Sequence, residues 1–138
     1  MPHMPDYRLP RVAGLLGVSD DTVRRWVEAG RLKAHDDSAG HRVVAGTDLA
    51  EFARSSAESS TPWWGSLPAA SARNQLPGIV TRVQRDGVMA QVELQCGPFR
   101  VVSLMSREAA DDLGLEPGVM AVASVKATTV VVIRPDQT

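Results

Sequence analysis

The chain has a single cysteine, no excess of either charge and no long apolar run, and each shortage removes a class of protein. Cys96 alone cannot form an intramolecular disulfide or anchor a zinc cluster, so nothing points to an oxidising compartment. The formal net charge over 138 residues is −1. Residues 1–62 hold eight Lys/Arg against nine Asp/Glu, so even this half lacks the basic balance of a purely electrostatic nucleic-acid binder. No stretch approaches the ~20 apolar residues of a membrane span, and the opening Met1-Pro-His-Met-Pro-Asp has no apolar core of a secretion signal. A soluble, cytoplasmic protein with no membrane partner is expected. Also missing are a nucleophile–base pair, a paired-carboxylate cleft and a phosphate-binding glycine loop. The three histidines, His3, His35 and His41, all lie in the N-terminal third. No enzyme, no catalytic cofactor and no metal site is expected.

What is present divides at a composition shift. From Ser55 to Ala70 the chain reads SSAESSTPWWGSLPAA, rich in Ser, Pro, Ala and Gly and without helix or strand period. The expected organisation is therefore a first domain over 1–54, a linker over 55–70 and a second domain over 71–138. The Trp63-Trp64 pair stiffens the linker if it docks on a neighbouring surface, since an exposed pair without a partner is unusual.

Before the linker the pattern is helical. Leu9–Leu16 reads as a short helix closed by Gly17. Ser19 is placed to cap a second helix over Asp20–Ala29, whose positive end suits Asp20 and Asp21. A hairpin follows, with Leu32–His35 and His41–Val44 flanking the polar turn Asp36–Gly40, then a third helix over Thr47–Arg54. At ~100° per residue, Val23, Trp26, Val27 and Gly30 share one face of the second helix, which makes Trp26 a packing anchor. Thr22, Arg24 and Arg25 fall around the other side, with donors suited to phosphates or guanine edges. Two adjacent arginines also suit a plain solvated face; their position on the second helix of a helix-turn-helix favours contact.

The run Leu9-Pro10-Arg11-Val12-Ala13-Gly14-Leu15-Leu16-Gly17-Val18-Ser19, then Thr22-Val23-Arg24-Arg25-Trp26, resembles the winged helix-turn-helix of MerR-type and excisionase-type proteins. Glu28-Ala29-Gly30-Arg31-Leu32 and Gly40-His41-Arg42 match that family's helix end and wing. The resemblance implies double-stranded DNA as partner, with Thr22, Arg24 and Arg25 in the major groove and His41 and Arg42 on the flanking backbone. MerR proteins pair through a long coiled coil. No heptad run exists here, so any pairing falls to the C-terminal half.

After the linker the pattern alternates. Asp86-Gly87 is a hairpin signal, and Val88, Ala90, Val92 and Leu94 alternate with Met89, Gln91, Glu93 and Gln95. Cys96-Gly97-Pro98 turns the chain into Phe99–Leu104. A short helix capped by Ser106 and ended by Gly114 leads to strands over Val119–Lys126 and Val130–Ile133. The fold class expected for the whole chain is α+β and multidomain: an N-terminal winged helix-turn-helix and a C-terminal five-stranded OB-like β-barrel.

Four segments of this half resemble the Mop (molbindin or TOBE) domain. They are Ser71-Ala72-Arg73-Asn74, Ser103-Leu104-Met105-Ser106, Asp112-Leu113-Gly114-Leu115 and Lys126-Ala127-Thr128-Thr129-Val130. Such domains are similar to the sensor half of the ModE regulators and to small molybdate-storage proteins. The resemblance implies molybdate or tungstate bound between subunits of a homo-oligomer, either a dimer or a hexamer built as a trimer of dimers. Carried over, the oxyanion-binding residues are Ser71, Ala72, Arg73, Asn74, Ser103, Ser106, Lys126 and Ala127. The chemistry agrees, because a tetrahedral dianion only accepts hydrogen bonds and wants hydroxyls, amides and cations. Sulfate satisfies the same donors, so molybdate rests on the resemblance.

Together the two resemblances imply a molybdate-responsive DNA-binding transcription regulator. The alternative is a molybdate or tungstate storage protein whose N-terminal module does not bind DNA.

Overall fold

The computed structural model describes residues 4–58 and 73–135. The chain forms two compact units, Met1–Gly65 and Ser66–Thr138. Ser71, Ala72 and the Trp63-Trp64 pair lie outside the described residues.

In the first unit, strand β1 (Asp6–Arg8) runs straight into helix α1 (Leu9–Leu16), where a proline opens the first turn and left-handed Gly17 ends the helix. Helix α2 (Asp20–Glu28) begins at Ser19, whose hydroxyl accepts from the Thr22 amide at 3.2 Å. Strands β2 (His35–Asp36) and β3 (Arg42–Ala45) make the expected hairpin. Its first arm is shorter than the sequence suggests, with Leu32 in the core at 2% exposure, while the second keeps its four residues. Helix α3 (Gly46–Glu58) carries on through Ser55–Glu58, the first residues of the segment read as linker. β1, which the sequence reading did not anticipate, pairs antiparallel with β3 and gives a three-stranded sheet in the order β1-β3-β2.

The core of this unit is Val12, Ala13, Val23, Leu32, Val44 and Leu49. Trp26 packs at its margin against Phe52, ring centroids 4.9 Å apart and tilted by 50°. That is the packing role read from its helical position. Leu15 of α1 is 57% exposed.

In the second unit, the 13-residue strand β4 (Arg73–Arg85) organises everything else. Its N-terminal half pairs with β7 (Met120–Lys126) and its C-terminal half with β5 (Met89–Cys96), the two ladders overlapping at Ile79. A register shift between Val80 and Arg82 accompanies the change of partner, and staggered pairing of this kind curls a sheet. Strand β6 (Phe99–Ser106) lies beyond β5, so the order is β6-β5-β4-β7.

Alternation in β5 holds for Ala90, Val92 and Leu94 and extends to Cys96, all buried, whereas Val88 precedes the strand, in the turn, and is 73% exposed. The hairpin turn from Cys96 to Phe99 uses left-handed Gly97 before Pro98, as a tight two-residue turn of the II′ kind requires. The other hairpin depends less on glycine than on Asp86, whose carboxylate accepts from the Val88 and Met89 amides at 2.8 and 2.7 Å.

Helix α4 (Arg107–Asp112) is capped by Ser106, as expected, and closes through Leu113 and left-handed Gly114. The turn drops Leu115 into the core beside Val80, Val92, Leu94 and Cys96. The Asp112–Leu115 segment is therefore a helix stop that delivers a core residue.

Two expectations need correction. Val130–Ile133 is not a strand, and among the described residues the sheet is a curled, OB-like, four-stranded one in place of the five-stranded barrel expected. The valines and isoleucine suit a strand, but a strand exists only where its amides find a ladder. A 3-10 turn over Ala127–Thr129 redirects the chain after β7, and Val131, Val132 and Ile133 stand 84%, 85% and 82% exposed. Among the described residues, no helix is long and apolar enough to cross a membrane.

Candidate nucleic-acid and oxyanion sites

Each unit carries one candidate site. In the first unit, Arg24, His41 and Arg42 come together around a cavity of about 290 Å³, whose wall also includes Arg8, Leu9 and Pro10. Chain pairing explains the meeting. Arg8 ends β1 opposite Val43 of β3, which puts it next to Arg42 across the ladder. Arg24 reaches the same place from α2.

Each of the three expected residues has an acidic companion. Arg24 lies 3.6 Å from Asp21, Arg42 lies 4.0 Å from Asp36, and His41 Nδ1 lies 3.6 Å from an Asp37 oxygen. These exposed pairs are weak and exchange readily for a better anion. The three partner carboxylates, Asp21, Asp36 and Asp37, are not part of the cavity wall.

The hairpin tip that presents His41 is tied by Asp37. Its carboxylate accepts from the Ala39 and His41 amides at 2.9 and 2.8 Å, and left-handed Gly40 completes the bend. The His41 amide bond foremost holds the Asp37 carboxyl below the usual carboxylate range; desolvation opposes it, and the Ala39 amide adds to the lowering.

Thr22 and Arg25 belong to a different flank of α2. Thr22 lies about 160° around the helix from Arg24. Its hydroxyl is 2.9 Å from the Ser19 hydroxyl and accepts from Arg25 Nη2 at 3.4 Å. The five expected contact residues therefore form two groups. Arg8 was missed because an arginine just ahead of a Leu-Pro helix start gives no signal until β1–β3 pairing is known.

In the second unit, Arg73 and Lys126 are register partners at one end of the β4–β7 ladder, with Asn74 opposite Val125. The Asn74 amide donates to the Val125 carbonyl at 3.4 Å, so part of its donor capacity serves the ladder. Ala127 opens the 3-10 turn directly after Lys126, and the Thr129 hydroxyl donates back to the Lys126 carbonyl at 2.8 Å. Neither 71–81 nor 117–133 contains an Asp or Glu. This end of the sheet thus offers donors and positive charge without carboxylate lone pairs, the chemistry a tetrahedral dianion needs.

Ser103 and Ser106 lie elsewhere. Ser103 sits on β6 opposite Val92, which in turn faces Val83 of β4, ten residues along that strand from Arg73. At ~3.3 Å per residue that is roughly 30 Å of strand. Ser106 lies further on, opposite Met89. Its oxygen accepts from the Ala109 amide at 3.1 Å as the α4 cap, which leaves its hydroxyl proton to donate. In one chain the register separates Arg73, Asn74, Lys126 and Ala127 from Ser103 and Ser106.

Known proteins divide in the same place. A helix-turn-helix domain model matches residues 7–57, and a TOBE domain model matches residues 70–132. Molybdenum-pterin-binding protein 3 of Clostridium pasteurianum is 39% identical over 64 residues, covering 46% of this chain and 94% of that protein. Molybdenum-pterin-binding protein 2 of the same organism is 36% identical over an equal length. Among solved structures, a molybdate-binding protein from Sporomusa ovata is 30% identical, with a TM-score of 0.47, covering 49% of this chain and all of that one. The cytoplasmic molybdate-binding protein ModG, solved with molybdate bound, is 38% identical with a TM-score of 0.42 over 44% of this chain and 43% of its own. Matched over nearly their whole length at such identity, the Clostridium proteins place the second unit among their kin: the chain belongs to the TOBE (Mop) domain family, with a helix-turn-helix domain ahead of the TOBE domain.

Proposed function

We propose that the protein is a molybdate-responsive, DNA-binding transcription regulator of the cytoplasm, and not an enzyme. The observation that carries this reading is the union in one chain of a helix-turn-helix domain and a TOBE domain whose relatives bind molybdenum species. In this reading the N-terminal unit is a MerR-like winged helix-turn-helix. Thr22 and Arg25 face the major groove, while Arg24, His41 and Arg42 hold the backbone beside the hairpin.

In the second unit the ligand is molybdate or tungstate. Arg73, Asn74, Lys126 and the Ala127 amide supply one part of its shell, with Ser71 and Ala72 ahead of them. Ser103 and Ser106 come from another copy of the chain, since the β4 register separates them from Arg73 within one copy. A shared site implies a homo-oligomer, either a dimer or a hexamer arranged as a trimer of dimers. Anion binding then couples to DNA binding through the affinity difference between two oligomer geometries, ordinarily ~1–3 kcal/mol. The domain division proposed is 1–54, a connecting segment over 55–70, and 71–138.

Fluorescence anisotropy on a duplex carrying the protein's own upstream region tests this, with and without molybdate. Wild-type protein should bind in a salt-dependent way and respond to molybdate, and the Arg24→Ala/Arg25→Ala double variant should lose binding. No duplex binding at any molybdate level, together with heat of molybdate binding in a calorimeter, would leave the storage reading standing instead.

A further inference from the structure

We propose that the cavity beside α2 is a seat for one backbone phosphate of duplex DNA and that Arg8 is its principal cation. The inference rests on the DNA-binding reading above and adds to it a residue and a third point of contact, at the β1–α1 junction.

The cavity is walled by Arg8, Leu9, Pro10, Arg24, His41 and Arg42, with no carboxylate among them, and its volume is about 290 Å³. A water molecule's share of the liquid is ~30 Å³, so the space admits a phosphodiester group with part of its hydration. The charges around it are not equivalent. Arg24, His41 and Arg42 each have an acidic companion within 4.0 Å. Arg8 is the exception: among the described residues it makes no ion pair or side-chain hydrogen bond. Its guanidinium is the cation whose donors a phosphate meets without first displacing an aspartate.

Position reinforces the point. The antiparallel pairing of Arg8 with Val43 fixes its backbone beside the hairpin strand that carries Arg42. Arg8 also immediately precedes Leu9, the first residue of α1. The ladder and the helix hold the Arg8 backbone in place, and its side chain forms part of the cavity wall. Phosphate oxygens only accept hydrogen bonds, and a planar guanidinium matches two of them at once. A free oxyanion presents the same oxygens. The open, shallow setting favours an anion held at several other points as well, which a duplex provides and a free ion does not.

The test uses the full chain and a fluorescently labelled duplex, with anisotropy titrations across a series of KCl concentrations. Each phosphate contact contributes about 0.9 to the slope of log K against log[salt]. Arg8→Ala should therefore lower the slope by about that amount and weaken binding alike for every duplex sequence, as a pure backbone contact does. Arg8→Gln guards against a folding defect and should behave as Arg8→Ala does, while Arg8→Lys should keep the wild-type slope. Arg31→Ala, which lies outside this cavity, should leave the slope unchanged. Inorganic phosphate added at constant ionic strength should not compete with the duplex.

An unchanged slope in Arg8→Ala and Arg8→Gln, with wild-type binding intact, would overturn the seat and spare the regulator reading. An equal loss in Arg31→Ala, or competition by inorganic phosphate, would likewise overturn it. Absence of salt-dependent duplex binding by the wild type would remove the regulator reading itself, and this inference with it.

Discussion

Arg73 and Lys126 face each other across the β4–β7 ladder, at an end of the sheet where neither flanking segment contains an acidic residue. In the oxyanion-binding reading proposed above, both residues would bring positive charge to the ligand. Either variant, Arg73→Ala or Lys126→Ala, is expected to weaken molybdate binding by about 2 kcal/mol, or roughly 30-fold, as for a charge-assisted hydrogen bond. Isothermal calorimetry measures it. An unchanged affinity in both variants would move the anion site to another part of the sheet.

Gly78 lies in β4 next to Ile79, the first β4 residue paired with β5. A Cβ added there would stand 2.5 Å from the Gln95 carbonyl oxygen and 2.7 Å from Cys96 Sγ. One of those neighbours is backbone and the other a buried side chain, so neither yields easily. Gly78→Ala should destabilise the second unit by about 1–3 kcal/mol, the usual cost of overpacking. A lowered thermal midpoint is the readout, and the N-terminal unit should keep its own transition.

Among the described residues, three carboxylates are held below the usual range and so contribute to the acid limb of stability. Asp86 is held below the usual range by the Met89 amide and then that of Val88, Glu93 by its hydrogen bond to Arg100, and Asp37 by the His41 amide first. A depressed folded pKa stabilises the protein at pH values above the group's unfolded pKa, and that contribution is lost as pH falls through the folded value. Urea midpoints should therefore hold steady from neutrality to about pH 5 and drop below pH 4. Asp86→Asn, which keeps the acceptor for Val88 and Met89 but removes the charge, should flatten part of that drop. The same steepness in wild type and variant would show that Asp86 contributes nothing to it.

Arg85 ties α4 to the end of β4. Its Nε donates to Asp111 at 2.9 Å, and Nη2 donates to the Leu115 carbonyl at 3.0 Å and to Glu116 at 2.8 Å. Replacing it with Met keeps the stem and loses all three bonds, one of them to the turn that seats Leu115 in the core. Hydrogen exchange should accelerate at Leu113 and Leu115, whose amides bond to Ala109 and Ala110, before it changes in β5. Uniform acceleration across the sheet would mean that the clamp acts globally.

Trp26 and Phe52 join α2 to α3 with a tilted ring pair. Phe52 is half-buried, so Phe52→Ala should cost about 2 kcal/mol, less than a fully buried ring. Because α2 carries Thr22, Arg24 and Arg25, duplex affinity should fall with it near the midpoint and recover on cooling.

Local rules made much of this protein legible. Gly17, Ser19, Ser106 and Gly114 mark helix ends because caps and left-handed turns are chemistry between near neighbours, and they act as read. The buried face of β5 follows from period-two alternation alone. Donor-rich segments around Arg73 and Lys126 were visible for the same reason, as short motifs with a chemical meaning. What the sequence could not disclose depends on partners distant along the chain. β1 exists because β3 offers it a ladder, and Arg8 joins Arg42 only through that pairing. Val130–Ile133 has every strand-forming side chain and makes no strand, since propensity cannot replace a missing hydrogen-bonding neighbour. The separation of Ser103 and Ser106 from Arg73 is of the same kind: residue types name the donors, but only the register of β4, β5 and β6 decides which of them one chain can gather.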